Sequence, residues 1–138
     1  MVDAGKEIKV NFTIQKSGLQ MQAELKIING DLLIVLTGGD TPHIGTITAF
    51  DQATRTITTT QFTSHDNRKH KDQVLAEELL NIIRPVLPGN CVITSGVHVN
   101  RITKAQIQAT FPMAQNLGQQ IKAWLQELPL EIKKPEYH

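Results

Sequence analysis

From residue 7 to residue 27, apolar and polar side chains alternate with little interruption. Glu7–Gln15 places Ile8, Val10, Phe12 and Ile14 on one face. Leu19–Ile27 sets Leu19, Met21, Ala23, Leu25 and Ile27 against Gln20, Gln22, Glu24 and Lys26. A period of two marks a strand with one face in a core and the other in water. Ser17-Gly18 joins these strands as a hairpin, and Asn29-Gly30 predicts a second turn, since both residue types accept positive φ. The next strand, Leu32–Thr37, opens with five apolar residues in a row, the pattern of a central strand covered on both faces. Gly45–Phe50 and Thr56–Thr63 follow as strands, with Asp51–Arg55 as the turn between them.

The period then lengthens. Between Lys71 and Arg84, Val74, Leu75, Leu79, Ile82 and Ile83 recur at helical spacing, and Pro85 with Pro88-Gly89-Asn90 ends the helix. Cys91–Val99 is a further strand, rich in β-branched residues. The last helix starts at Thr103, where Thr103-x-x-Gln106 is a capping box and Ile102 with Ile107 fits a hydrophobic staple. Pro112 is expected to kink or restart it, because proline lacks the donor and clashes with the preceding turn. Met113, Leu117, Ile121, Trp124, Leu125 and Leu128 continue the apolar stripe, and the tail 129–138 reads as a short edge strand or as disordered. The fold class is therefore α+β: a single domain over 1–138 with a mostly antiparallel sheet of about six strands and two helices, in the order βββββαβα.

Strand direction brings separated stretches together. If the end where Leu32–Thr37 finishes is the top of the sheet, Gly45–Phe50 descends and Thr56–Thr63 climbs back. The first helix descends and Cys91–Val99 climbs again. Three polar segments then share the top: Gly38–Gly45, His65–Asp72 and Gly96–Thr103. Both helices also start there, and helix N-termini attract anions through unpaired N–H groups and partial positive charge.

Composition narrows the function class. The chain has 138 residues, 40% of them hydrophobic, with 14 basic against 13 acidic residues. That suits one globular domain able to bury a core without disulfides. Scattered basic residues and only 4% aromatics do not make a nucleic-acid interface. Cys91 is the sole cysteine, which excludes an internal disulfide, and its place in an apolar strand reads as packing. The N-terminus has no signal-peptide core and no apolar run approaches a membrane span, so the default compartment is the cytoplasm.

The chemistry-bearing candidates lie in the three polar segments. Gly38, Gly39 and Gly45 reflect either structural needs of the loop alone or a close backbone approach to something bulky. The loop matches neither a P-loop nor a dinucleotide fingerprint. In His65–Asp72, acids at a helix start act as caps, while Lys69 and Lys71 sit unfavourably beside the positive helix end unless an anion is bound. A solvated charged loop is the plainer account. His98 shares a strand face with Gly96. Three histidines at one end of the fold, His43, His70 and His98, are well placed to exchange hydrogen bonds near neutral pH.

The strings Gly38-Gly39-Asp40-Thr41-Pro42-His43-Ile44-Gly45, His70-Lys71-Asp72 and Gly96-Val97-His98-Val99-Asn100-Arg101-Ile102-Thr103 resemble the prenylated flavin chaperone family of LpdD-like proteins, bacterial relatives of proteasome assembly chaperones. The likeness spans about residues 19–128 and is specific in these strings. The third departs from the usual family pattern, which has Asp-Asn where this chain has Asn100-Arg101; a carboxylate gives way to a guanidinium, which favours an anionic ligand over a metal.

The resemblance implies a proteasome-assembly-chaperone-like fold, a homodimer, and binding of reduced prenylated FMN for delivery to a UbiD-like decarboxylase. No catalysis, metal, membrane or nucleic acid is implied. The ligand residues it implies are Gly38, Gly39, Asp40, His43, Gly45, His70, Lys71, Asp72, His98 and Asn100. Lys71 and a helix N-terminus are expected at the phosphate, and the histidines at polar ring edges. Two other readings stand beside it. One is a metal-dependent enzyme built on His43, His70 and His98 with Asp40 and Asp72. The other is an assembly chaperone acting only through protein contacts, with Thr54–Thr63 or Leu19–Ile27 as an edge for dimerisation.

Overall fold

The computed structural model describes residues 2–3, 8–63 and 71–137, opening with a two-residue strand, Val2–Asp3 (β1). Ile8–Lys16 (β2) and Leu19–Ile28 (β3) pair antiparallel across Ser17 and Gly18, which hold φ of 55° and 75° as a tight two-residue hairpin turn requires. Asp31–Gly39 (β4) returns against β3. In that second turn only Asn29 takes positive φ, at 55°. A Cβ at Gly30 would stand 2.9 Å from Ile132 Cδ1, the end of an exposed side chain.

Thr46–Asp51 (β5) and Thr56–Gln61 (β6) form the next hairpin, where the Asp51 carboxylate accepts from the Ala53 N–H at 2.9 Å and Arg55 holds φ of 61°. Lys71–Ile83 (α1) ends in a 3-10 turn at Arg84–Val86. Cys91–His98 (β7), Lys104–Glu127 (α2) and Leu130–Glu131 (β8) complete the chain. The main sheet runs β2-β3-β4-β7-β5-β6, while β1 and β8 pair separately, in parallel. β7 is parallel to β4 and antiparallel to β5, so the sheet is mixed although mostly antiparallel.

The core lies between one face of this sheet and the two helices. Leu25, Ile34, Leu36, Phe50 and Ile93 meet Leu79, Leu80, Ile83, Met113, Leu117 and Ile121 there, all buried. Phe12 closes its margin with its ring edge-on to Trp124, centroids 6.0 Å apart. Cys91 is buried in the same core, and burial pushes its thiol up to about 12, which suits packing rather than nucleophilic chemistry. Among the described residues no helix is long and apolar enough to cross a membrane.

Three expectations change. The strand Leu32–Thr37 is central but not covered on both faces: Leu32, Ile34 and Leu36 are buried, while Leu33 and Val35 remain partly exposed because both helices pack on one side. Leu19–Ile27 is not an edge, since β3 pairs with β2 and β4; the edges are β2 and β6. α2 does not restart at Pro112 but runs through it as one 24-residue helix, since Ala109, Met113, Ala114 and Leu117 are buried on both sides of the proline. Its predicted capping box is present, with Thr103 Oγ1 accepting from the Gln106 N–H at 3.1 Å and Gln106 Oε1 from the Thr103 N–H at 3.0 Å. The tail is ordered where it meets the turn at Asn29, whose side chain exchanges two hydrogen bonds with the Lys133 backbone, at 2.7 and 2.8 Å.

Urea unfolding should separate the core from the cap. Leu79→Ala is expected to cost about 3 kcal/mol, and Thr103→Ala about 1 kcal/mol. Equal losses would contradict the burial of Leu79 described here.

Candidate functional site

The rim is built around the place where β5 stops accompanying β7. Thr46 is the last β5 residue to pair, opposite Ser95, and the Gly45 N–H still reaches the Ser95 carbonyl at 2.8 Å. One step further along β7, the Val97 N–H has no strand beside it. The carboxylate of Asp72, the second residue of α1, takes that position and accepts from Val97 through Oδ1 at 2.9 Å. A side chain at Gly45 would collide with this carboxylate, its Cβ standing 2.3 Å from Oδ2.

The loop after β4 folds over the same end of the sheet. The His98 carbonyl accepts from Asp40 N–H at 2.7 Å and Thr41 N–H at 3.3 Å. Gly39 turns at φ of 79°, and a Cβ on it would come within 2.1 Å of that carbonyl oxygen. His43 then passes over Gly96, whose Cβ would stand 1.7 Å from the His43 carbonyl oxygen. What Gly38, Gly39, Gly45 and Gly96 approach is therefore the chain itself. Each of these glycines leaves room for a neighbouring part of the chain.

Hydrogen bonding decides the proton positions on both histidines. His43 Nδ1 lies 3.0 Å from the Thr41 carbonyl, which only accepts, so Nδ1 carries a proton. Its Nε2 faces Asp72 Oδ2 at 3.5 Å, and that contact is attractive only when the pair holds a further proton. Burial raises the Asp72 carboxyl above its ordinary 3.8, opposed by the Val97 N–H and by the charges of His43 and His98. His98 Nε2 donates to Asn100 Oδ1 at 3.1 Å. The Asn100 N–H donates to Asp40 Oδ2 at 2.8 Å, tying the two loops together.

Asp40, His43, Asp72, His98 and Asn100 thus meet at one rim with the starts of α1 and α2, as strand polarity implies. His70, with the stretch from His65, lies outside the described residues, and Lys71 is placed only as the first residue of α1. Among the described residues no three His, Cys, Asp or Glu side chains group as metal ligands. Two groups were missed from sequence: Thr46 Oγ1 and Ser95 Oγ, buried on paired strands beside Gly45 and Gly96, have no hydrogen-bond partner among the described residues. Their signal was available, since Thr46, Thr48 and Ser95 occupy core-facing positions of alternating strands.

A family model for the prenylated flavin chaperone LpdD-like domain matches residues 15–126, which include the described rim. The chain belongs to this family. It is also 50% identical over 127 residues to Protein LpdD of Lactiplantibacillus plantarum, covering 92% of this chain and 93% of that protein. A solved structure titled as a novel chaperone complex for yeast 20S proteasome assembly contains a similar fold. Its TM-score is 0.52 at 7% identity, covering 86% of this chain and 97% of that one. At that identity the likeness concerns the fold alone, and it bears out a proteasome-assembly-chaperone-like architecture.

Arg101 holds φ of 52°, a region asparagine tolerates better than arginine. Arg101→Asn is expected to raise stability by up to about 1 kcal/mol in a thermal melt; a loss would show that the guanidinium contributes more than the backbone strain costs. Because the folded pKa of Asp72 is raised, its protonated form favours the folded state, and this contribution is lost as pH rises from 3.8 through the folded value. The stability of wild type relative to Asp72→Asn should therefore increase as pH falls from 7 towards 4. A constant difference, read by urea unfolding at each pH, would contradict the desolvation of Asp72.

Proposed function

We propose that this chain is a non-catalytic chaperone that binds reduced prenylated FMN and assists its delivery to a UbiD-like decarboxylase. One observation carries the reading: His43 and His98, each with its proton placed by a neighbour, stand at one rim with the starts of both helices. An imidazole so fixed presents a defined donor or acceptor to the polar edge of a heterocycle.

The phosphate belongs at the start of α2. That end carries Arg101 and Lys104, both exposed, whereas at the start of α1 the Asp72 carboxylate already occupies the turn. Lys71 opens α1, a third basic residue beside Arg101 and Lys104 in the sequence of the two helix starts. The rim thus has the donor set for a phosphate-bearing ligand with polar ring edges. With few aromatics in the chain, the ring would rest on aliphatic side chains.

The rim gives no comparable support to catalysis. The Asp72 carboxylate, the most desolvated acid there, is engaged by Val97 and His43, and the Cys91 thiol is buried away from the rim. A carrier role asks only for selective binding and release.

Anaerobic titration with reduced prenylated FMN is expected to give saturable binding, with much weaker binding of unmodified FMN. His43→Ala and His98→Ala should each weaken it about tenfold, the value of one hydrogen bond lost from a polar edge, and lower activation of the apo-decarboxylase in parallel. No saturable binding by wild type would overturn the proposal.

A further inference from the structure

The outward side of the β5–β6 hairpin changes character at the rim. Thr56, Thr58 and Thr60 hold the β6 positions that point away from the helices, and all three are exposed. Gln61 turns inward, its side-chain amide donating to Gln73 Oε1 on α1. Phe62 follows, and its N–H donates to the Gly45 carbonyl at 2.9 Å, which extends the ladder one pair beyond Thr46 and Gln61. Strand alternation therefore sends the Phe62 ring to the outward side, in line with Thr58 and Thr60. The ring is 52% exposed, and Ile44, which adjoins Gly45 across that pair, is 56% exposed. Packing does not account for Phe62, which sits at the end of an edge strand, away from the core that Phe50 fills. A threonine there would continue the strand with less apolar surface in water.

His43 and His98 belong to the same side. Gly96 and His98 alternate with the inward-facing Ser95 of β7, and His43 crosses over Gly96, its Cγ 3.1 Å from where a Cβ would stand. Between β7 and β6 runs β5, whose outward residue nearest the rim is Ile47, partly exposed and paired with Thr94 and Thr60. Phe62 thus lies two strand spacings, about 10 Å, from the histidines, with an aliphatic floor between them. That span is comparable with the long dimension of a flavin's tricyclic ring.

We propose that Phe62, supported by Ile44, is the residue that selects reduced prenylated FMN over unmodified FMN; this rests on the ligand-binding reading above. The two ligands share a phosphate and a polar pyrimidine edge, so the histidines and the basic helix start recognise them alike. They differ in the fourth, apolar ring that prenylation builds on the benzenoid side, away from the pyrimidine edge. With that edge at His43 and His98, a flavin lying across β5 carries the added ring onto Phe62. The contact takes apolar surface of both partners out of water, and FMN has nothing to make it with.

Parallel anaerobic titrations of the full chain with reduced prenylated FMN and with reduced FMN test this. Phe62→Thr should weaken the prenylated ligand about tenfold and FMN by no more than about twofold. Phe62→Leu, which keeps an apolar contact, should retain most of the preference, and Ile44→Thr should cost the prenylated ligand about threefold. All three variants should unfold as cooperatively as wild type in urea. Equal losses for the two ligands in Phe62→Thr would overturn selection by this side chain, as would unchanged affinities. If Phe62→Thr does not fold, Ile44→Thr decides by the same criterion. Wild type that binds both ligands equally would leave the ligand-binding reading standing and remove the selection. Wild type that binds neither would remove that reading, and the role of Phe62 with it.

Discussion

The parallel ladder between β4 and β7, running from Leu32 opposite Cys91 to Gly39 opposite His98, joins an antiparallel meander to an antiparallel hairpin. Because the two strands run the same way, both end at the same edge, and the chains leaving them must cross there. Gly39 and Gly96 make that crossing feasible, since each lets a backbone carbonyl pass where a Cβ would collide. The ladder also leaves β7 longer than its other neighbour β5, and that mismatch creates the unpaired Val97 N–H that Asp72 satisfies. One carboxylate thereby ties the start of α1 to the sheet and to His43.

Tying the rim together in this way costs the fold something. A desolvated carboxylate and two buried hydroxyls without described partners are placed where apolar residues would be more stable. Real proteins depart from consistent packing mainly at working sites. Here the departures cluster beside His43 and Gly96, whereas the core between Leu25, Leu79 and Met113 is apolar throughout.

The other unusual feature is the open face. A two-layer arrangement of sheet and helices leaves one side of the sheet to water, which normally calls for polar outward positions. β3 obeys with Gln20, Gln22, Glu24 and Lys26, but β4, β7 and β5 do not. The same strands that carry these outward apolar positions carry the rim at their ends.

Strand alternation in Ile8–Ile28, the helical period after Lys71 and the capping box at Thr103 were all legible in the sequence, because each reports a local preference for one buried side. Element order and turn length even placed His43 and His98 at the same end. What the chain alone did not disclose was which strands become neighbours. Nothing local says that β7 inserts between β4 and β5, that Asp72 replaces a missing strand partner, or that the glycines make room for carbonyls of their own chain. The apolar run at Leu32 was read as a strand covered twice, yet the helices reach only one side. Periodicity records how a residue relates to its neighbours along the chain, whereas strand pairing and the cover of a face are settled by contacts between residues far apart in sequence. Only the assembled sheet decides those.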